Sequence, residues 1–229
     1  MDIEQLLQKI KSGDRRSIAK AITLLESSRE IDFEIKNQLM KKIQEQQPDK
    51  KSLRIAFSGI TGSGKSSLIE KVGLHFLSTG KKVAVLAIDP SSPITGGSLL
   101  GDKTRMEKLS NSPNAFVRPS PNKMTAGGVG LKTRESILLL EHAGYEIIII
   151  ETVGVGQSEV DAYSMADIFS VLLLPSTGDE LQGAKKGINE LADFILINKA
   201  DGALKLAAEN TQREYQQSRK KINEKYTGN

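Results

Sequence analysis

The chain has 229 residues, a formal charge of +4, two histidines and no cysteine. That length suits one α/β domain with a modest appendage, and the lack of cysteine excludes both a disulfide framework and a thiolate metal site. Basic and acidic residues are interspersed, which argues against a nucleic-acid partner. The apolar run Ile147–Ile150 is too short to span a membrane, and MDIEQLLQKIKSGD has an early acid and no apolar stretch, so it does not read as a signal peptide. The expected location is cytoplasmic. His75 and His142 fall in separate predicted helices, are expected at the surface or on helix flanks, and suggest no metal site.

Residues 1–50 read as a helical arm. Leu6, Leu7 and Ile10, then Ile18, Ala21, Ile22, Leu24 and Leu25, then Ile35, Leu39 and Ile43, recur at three- and four-residue spacing. Ser12-Gly13-Asp14 breaks the first helix from the second. The arm is amphipathic, so it must pack on the next domain or on another subunit. Gln46–Ser52, with Pro48, marks the boundary.

Residues 51–202 alternate strand and helix, which predicts an α/β fold with a mostly parallel sheet covered by helices on both faces. The predicted strands are Leu53–Ser58, Lys82–Ile88, Ala115–Arg118, Glu146–Glu151, Ile168–Leu174 and Phe194–Asn198. Their near-continuous Ile, Leu and Val content suits strands buried on both faces. Helices are predicted over Lys65–Ser78, Leu131–Ala143, Glu180–Leu191 and, as a C-terminal element within 203–229, Ala203–Tyr226.

The stretch Gly59–Ser67, GITGSGKSS, matches G-x-x-x-x-G-K-[ST] between a strand and a helix, the arrangement of a phosphate-binding P-loop. Its glycines let backbone N–H groups curl inward around an anion, and the helix adds its positive end. Gly59, Thr61, Gly62, Ser63, Gly64, Lys65, Ser66 and Ser67 are therefore nucleotide-site candidates. Lys65 would reach the β- and γ-phosphates and Ser66 would ligate Mg²⁺.

Carboxylates close two later strands. Asp89 can hold Mg²⁺ or cap the DPSS turn. Glu151 fits the acid that ends a hydrophobic strand and supports Mg²⁺ or its waters. Gly154, three residues on, can give its N–H to the γ-phosphate. Val155 occupies the place where a water-orienting Gln stands in some GTPases, so unaided hydrolysis should be slow. Between them, Thr95–Met106 carries Asp102, either a Mg²⁺-facing switch residue or the N-cap of a helix Lys103–Leu109. Pro175–Lys186 is a third switch or the acidic start of a helix. Finally, Asn198-Lys199-Ala200-Asp201 follows the last strand. Asp201 can accept from the two donors that guanine presents and adenine does not, Lys199 can cover the base, and Asn198 can tie this loop to the phosphate loop.

Together these residues resemble the MeaB/ArgK family, which includes the human methylmalonic aciduria type A protein. The resemblance rests on GDRRSIAKAITLLE, GITGSGKSSLIE, AIDPSSPITGGSLLGDKTRM, FVRPSP, GGVGLKTRE, ETVGVGQSEV, GDELQGAKKGINELAD and NKADG. It implies a P-loop NTPase of the SIMIBI class, with GTP or GDP and Mg²⁺ as cofactors. It also implies a chaperone role toward an adenosylcobalamin-dependent mutase of the methylmalonyl-CoA mutase type, gating cofactor loading and protecting the enzyme. Older naming implies instead a kinase of lysine, arginine and ornithine transport; a nucleotide-binding scaffold with negligible turnover is a third alternative.

By the resemblance, Asp89, Asp102 and Glu151 line the Mg²⁺ site, and Gly178–Lys186 is the third switch that senses the mutase. Positions 60 and 61 carry no lysine, so the deviant phosphate loop of the MinD-like branch is absent. Family members continue past NKADG into another strand, a last guanine loop and a helical dimerisation arm. Here only one predicted helix and TGN follow, so the expectation is a chain truncated relative to the family, with weaker nucleotide binding and its homodimer in doubt.

Overall fold

The computed structural model describes residues 2–46, 52–88, 106–120, 128–152, 158–175, 187 and 190–227. Six parallel strands form one sheet: β1 (Leu53–Gly59), β2 (Val83–Ile88), β3 (Ala115–Ser120), β4 (Ile147–Thr152), β5 (Ile168–Leu173) and β6 (Phe194–Ile197), in spatial order β3-β2-β4-β1-β5-β6. The helices are α1 (Ile3–Lys11), α2 (Arg15–Glu26), α3 (Glu30–Glu45), α4 (Lys65–Ser78), α5 (Glu107–Ser110), α6 (Gly128–His142), α7 (Ser158–Tyr163) and α8 (Lys205–Thr227). Among the described residues no helix is long and apolar enough to cross a membrane.

Alternation along the strands divides the core in two. Ile55, Phe57, Val83, Val85, Ile147 and Ile149 face α4 and α5, where Ile69 and Leu109 are fully buried. Ala56, Ala84, Leu86, Ile148 and Ile150 face the other way, toward α6 and α7. Both faces being covered, β2 and β4 are buried at every position.

Helices α2 and α3 pack on α6, with α1 packed on both of them, and so the arm adds a further layer outside α6. Leu7, Ile10, Ile18, Ile22, Leu25, Leu39 and Ile43 join α6 residues Ile137, Leu139 and Leu140 in one apolar cluster. The arm thus buries its apolar face on its own chain. Asp2 and Asp14 cap α1 and α2, accepting from backbone N–H groups at Glu4 and Ser17. The Ser17 hydroxyl and amide hold the Asp14 carboxyl below the usual range. Ion pairs Lys36–Glu135 at 2.8 Å and Arg118–Glu26 at 2.6 Å tie the arm to α6 and β3.

Four expectations need correction. His142 is buried, 6 % exposed, because α6 is covered by the sheet on one side and the arm on the other. Strand β3 runs through Pro119 to Ser120, two residues beyond the expected end. A proline is tolerated there because β3 is an edge strand and one flank needs no donor. Helix α6 begins at Gly128 rather than Leu131. The described helix before β3 starts at Glu107 with Met106 as its N-cap, not at Lys103. The expected helix Glu180–Leu191 lies largely outside the described residues.

Candidate functional site

The chain leaves β1 toward β2 on one side of the sheet and leaves β4 toward β5 on the other. The carboxyl ends of β1 and β4 therefore open the crevice in which ligands of such sheets sit. These strands are paired in register, Phe57 opposite Glu151. The phosphate loop and the strand-ending acid are brought together by topology alone.

Two glycines show why the loop has this sequence. Gly59 has φ +146°, and a Cβ there would lie 2.4 Å from the carbonyl oxygen of Leu172 on β5. Gly64 has φ +91°, and a Cβ there would lie 2.3 Å from Asn198 Nδ2. Any larger residue at either place meets both backbone strain and a neighbour. The loop tip, Thr61 and Gly62, is exposed, whereas Ser63 is fully buried. Ser67 is exposed one residue into α4 beyond Ser66.

Lys65 is 7 % exposed, and its ammonium donates to the carbonyls of Gly59 at 2.7 Å and Ile60 at 3.1 Å. These carbonyls hold a cation at the N-terminus of α4, where an anion is favoured. Ser66 Oγ donates to Glu151 Oε1 at 2.9 Å. A hydroxyl that gives its proton to a carboxylate keeps its lone pairs, and hard oxygen donors are what Mg²⁺ selects. The pair thus fits a cation site. Asp89, Asp102 and Gly154 lie outside the described residues, and among those described no group of three or more His, Asp or Glu side chains converges as a metal cluster.

The loop after β6 sits beside the phosphate loop. Asn198 Nδ2 donates to the Ser63 carbonyl at 2.7 Å, and Asn198 N–H donates to Leu173 O at 2.9 Å. Lys199, at φ +56°, is the one non-glycine residue with positive φ among those described. Strain of this kind is retained where surrounding structure enforces it, and it clusters at functional sites. Lys199 and Asp201 are exposed, and Asp201 precedes the turn Gly202–Leu204.

A pair not singled out from sequence lies on the opposite face of β1. Ser58 Oγ donates to Glu159 Oε1 at 2.8 Å, with Ser58 fully buried and Glu159 1 % exposed. Glu159 stands in the first turn of α7, which packs on β1, β4 and β5. The available signal was the parity of Ser58 with Ala56, which turns it away from α4.

A parallel sheet with the phosphate-loop strand beside the acid-ending strand, and a base-side loop tied to the phosphate loop, defines a P-loop NTPase domain of the SIMIBI type. The chain belongs to the MeaB family: the model of the methylmalonyl-CoA mutase-associated GTPase MeaB matches residues 18–228. A probable GTPase of Mycobacterium tuberculosis is 51 % identical over 201 residues, 87 % of this chain and 59 % of the relative. The mitochondrial methylmalonic aciduria type A homolog of Caenorhabditis elegans is 45 % identical over 223 residues, 93 % of this chain and 56 % of that protein. A crystal structure of a LAO/AO transport system kinase superposes with a TM-score of 0.75 at 34 % identity, covering 94 % of this chain and 62 % of that one. The chain thus spans somewhat over half the length of these relatives.

Proposed function

We propose that the chain is a Mg²⁺-dependent switch that binds and hydrolyses GTP and reports its nucleotide state to an adenosylcobalamin-dependent mutase. The observation that carries the guanine part is the Asn198–Ser63 hydrogen bond. It ties the loop that carries Asp201 to the phosphate loop, which supports one nucleotide being held by both. The phosphates rest on the N–H groups from Gly59 to Ser67, with the Lys65 ammonium, held by two carbonyls, against the charge that grows during transfer. Ser66 and Glu151, with Asp89 and Asp102, hold the cation, which when bound neutralises phosphate charge. Gly154 gives its N–H to the γ-phosphate. Asp201 accepts from guanine, Lys199 covers the base, and Gly178–Lys186 is the segment that senses the mutase. Toward that mutase the proposed roles are gating of cofactor loading and protection of the enzyme; the family membership and the methylmalonic aciduria name of the nematode relative support a mutase partner. Asp201 supplies two charge-assisted hydrogen bonds, enough for about a hundredfold preference for GTP over ATP.

Titration of the chain with GTP, GDP and ATP in the presence of Mg²⁺ tests the base reading; equal affinities would sink it. Turnover equal to that of Lys65→Ala would sink the enzyme reading. No nucleotide-dependent capture of a methylmalonyl-CoA mutase would leave only the GTPase reading. One solved relative is named a transport system kinase, which favours a second reading, phosphoryl transfer to a binding protein. Labelled γ-phosphate recovered wholly as free phosphate excludes it.

A further inference from the structure

We infer that Glu159 is a positioning residue for Lys65, acting through Ser58 and the first carbonyl of the phosphate loop. This rests on the GTP-binding reading and deepens it.

Glu159 is the feature that simple packing does not account for. On the six-residue α7, Glu159 and Ala162 face inward while Val160 and Tyr163 are exposed. An apolar side chain at 159 would bury at no electrostatic cost, whereas a buried carboxylate costs several kcal/mol unless it is well satisfied. Its Oε1 instead accepts from Ser58 Oγ at 2.8 Å. Ser58 directly precedes Gly59, and Gly59 O accepts from Lys65 Nζ at 2.7 Å. The run from Glu159 through Ser58 and Gly59 to Lys65 therefore crosses the sheet from one helix layer to the other.

The far side of Gly59 is fixed as well. Its α-carbon lies so close to Leu172 O that a Cβ would stand 2.4 Å away. With β5 on one flank and Glu159 holding the preceding hydroxyl, the peptide bearing the Gly59 carbonyl has one orientation. That carbonyl sets where the Lys65 ammonium points. An ammonium displaced by a fraction of an ångström loses most at the γ-phosphate, where charge develops.

The test compares Ser58→Ala, Glu159→Ala, their double variant and Glu159→Gln, which keeps an acceptor oxygen at the same place. Measured are kcat and KM for GTP, Kd for GDP and for a non-hydrolysable GTP analogue, and thermal stability. Expected for Ser58→Ala and Glu159→Ala is a kcat lowered about tenfold, the kinetic equivalent of one hydrogen bond, with KM for GTP little changed. The analogue should weaken against GDP by several-fold, the double variant should be no slower than the slower single one, and Glu159→Gln should recover most of the rate. Ser58→Ala removes one oxygen and keeps the test open if Glu159→Ala folds poorly. Wild-type turnover and analogue-to-GDP ratio in Ser58→Ala, and in Glu159→Ala where it folds, would overturn the inference while leaving the GTPase reading intact. A wild-type chain that binds no guanine nucleotide would overturn both.

Discussion

Gly64 offers the sharpest test of how the two nucleotide loops depend on each other. Gly64→Ala puts a Cβ 2.3 Å from Asn198 Nδ2 at a residue with φ +91°. The left-handed conformation costs a β-carbon residue about 2 kcal/mol. The amide of Asn198 must also swing away and give up its bond to Ser63 O, about 1 kcal/mol more. Gly64→Ala should therefore lose about 3 kcal/mol, and Asn198→Ala about 1 kcal/mol. In the double variant the clash is gone and the bond is lost once, so the total stays near 3 kcal/mol rather than rising to about 4 kcal/mol. Urea unfolding of the four proteins measures this, with unchanged m-values as the control. Losses that add to within about 0.3 kcal/mol would show that the glycine and the asparagine act independently and would refute the coupling.

Three more outcomes follow from other parts of the molecule. Glu141 gathers Ser52 Oγ at 2.6 Å and Arg54 Nη2 at 2.8 Å on a single buried oxygen, so Glu141→Ala leaves a part-buried guanidinium and the buried Ser52 hydroxyl without their acceptor and should cost roughly 3 kcal/mol. In a chain of this size that is a fall of about 6–12 °C in Tm by calorimetry; a fall under about 2 °C would contradict it. Burial, helped by nearby Lys11 and opposed by a backbone hydrogen bond with Gln46, holds the His142 pKa below 6.5. Its contribution is thus complete above 6.5 and is lost as pH falls below it. Between about pH 7.5 and pH 5.5 the wild type should lose more stability than His142→Gln, and equal losses in urea titrations would exclude this histidine. Lys199→Gly relieves the φ +56° backbone and should leave stability unchanged or raised by up to about 1 kcal/mol, while GTP affinity drops about tenfold. A variant both less stable and fully able to bind would mean the strain serves packing, not the base.

What could be read in advance divides along physical lines. The central strands could be located because fully buried parallel strands concentrate Ile, Leu and Val; β6 has the same composition but, at the sheet edge, is exposed or half-buried throughout. Lys65, Ser66 and Glu151 could be placed because a loop between strand and helix has few geometries, and the link from Asn198 to the phosphate loop follows from the same constraint. The exposure of His142 could not: an α-helix of average polarity looks half-solvated until one knows that the arm covers its second face. The start of α6 was obscured by Gly128 and Gly130, poor helix formers whose small size has a use. A Cβ at Gly130 would come within 3.1 Å of the Asp161 carboxylate. Helix α7 is too short to show a period, so nothing in the sequence marks Glu159 as a buried position, and only its contact with Ser58 gives it a separate meaning.

The strand order also governs when this domain can come into being. β1, which carries the phosphate loop, has no neighbour close to it in the chain: Leu53 pairs with Ile147 and Ile55 with Ile168. Arm helices α2 and α3, which precede β1, find their partner α6 only about a hundred residues later. On the ribosome, the first strand and an apolar arm must remain unpaired until β4 and β5 have emerged. Such non-local pairing slows folding and leaves hydrophobic edges open to aggregation meanwhile. A protein assembled in this way is at its most vulnerable during synthesis, before the site that defines it has closed.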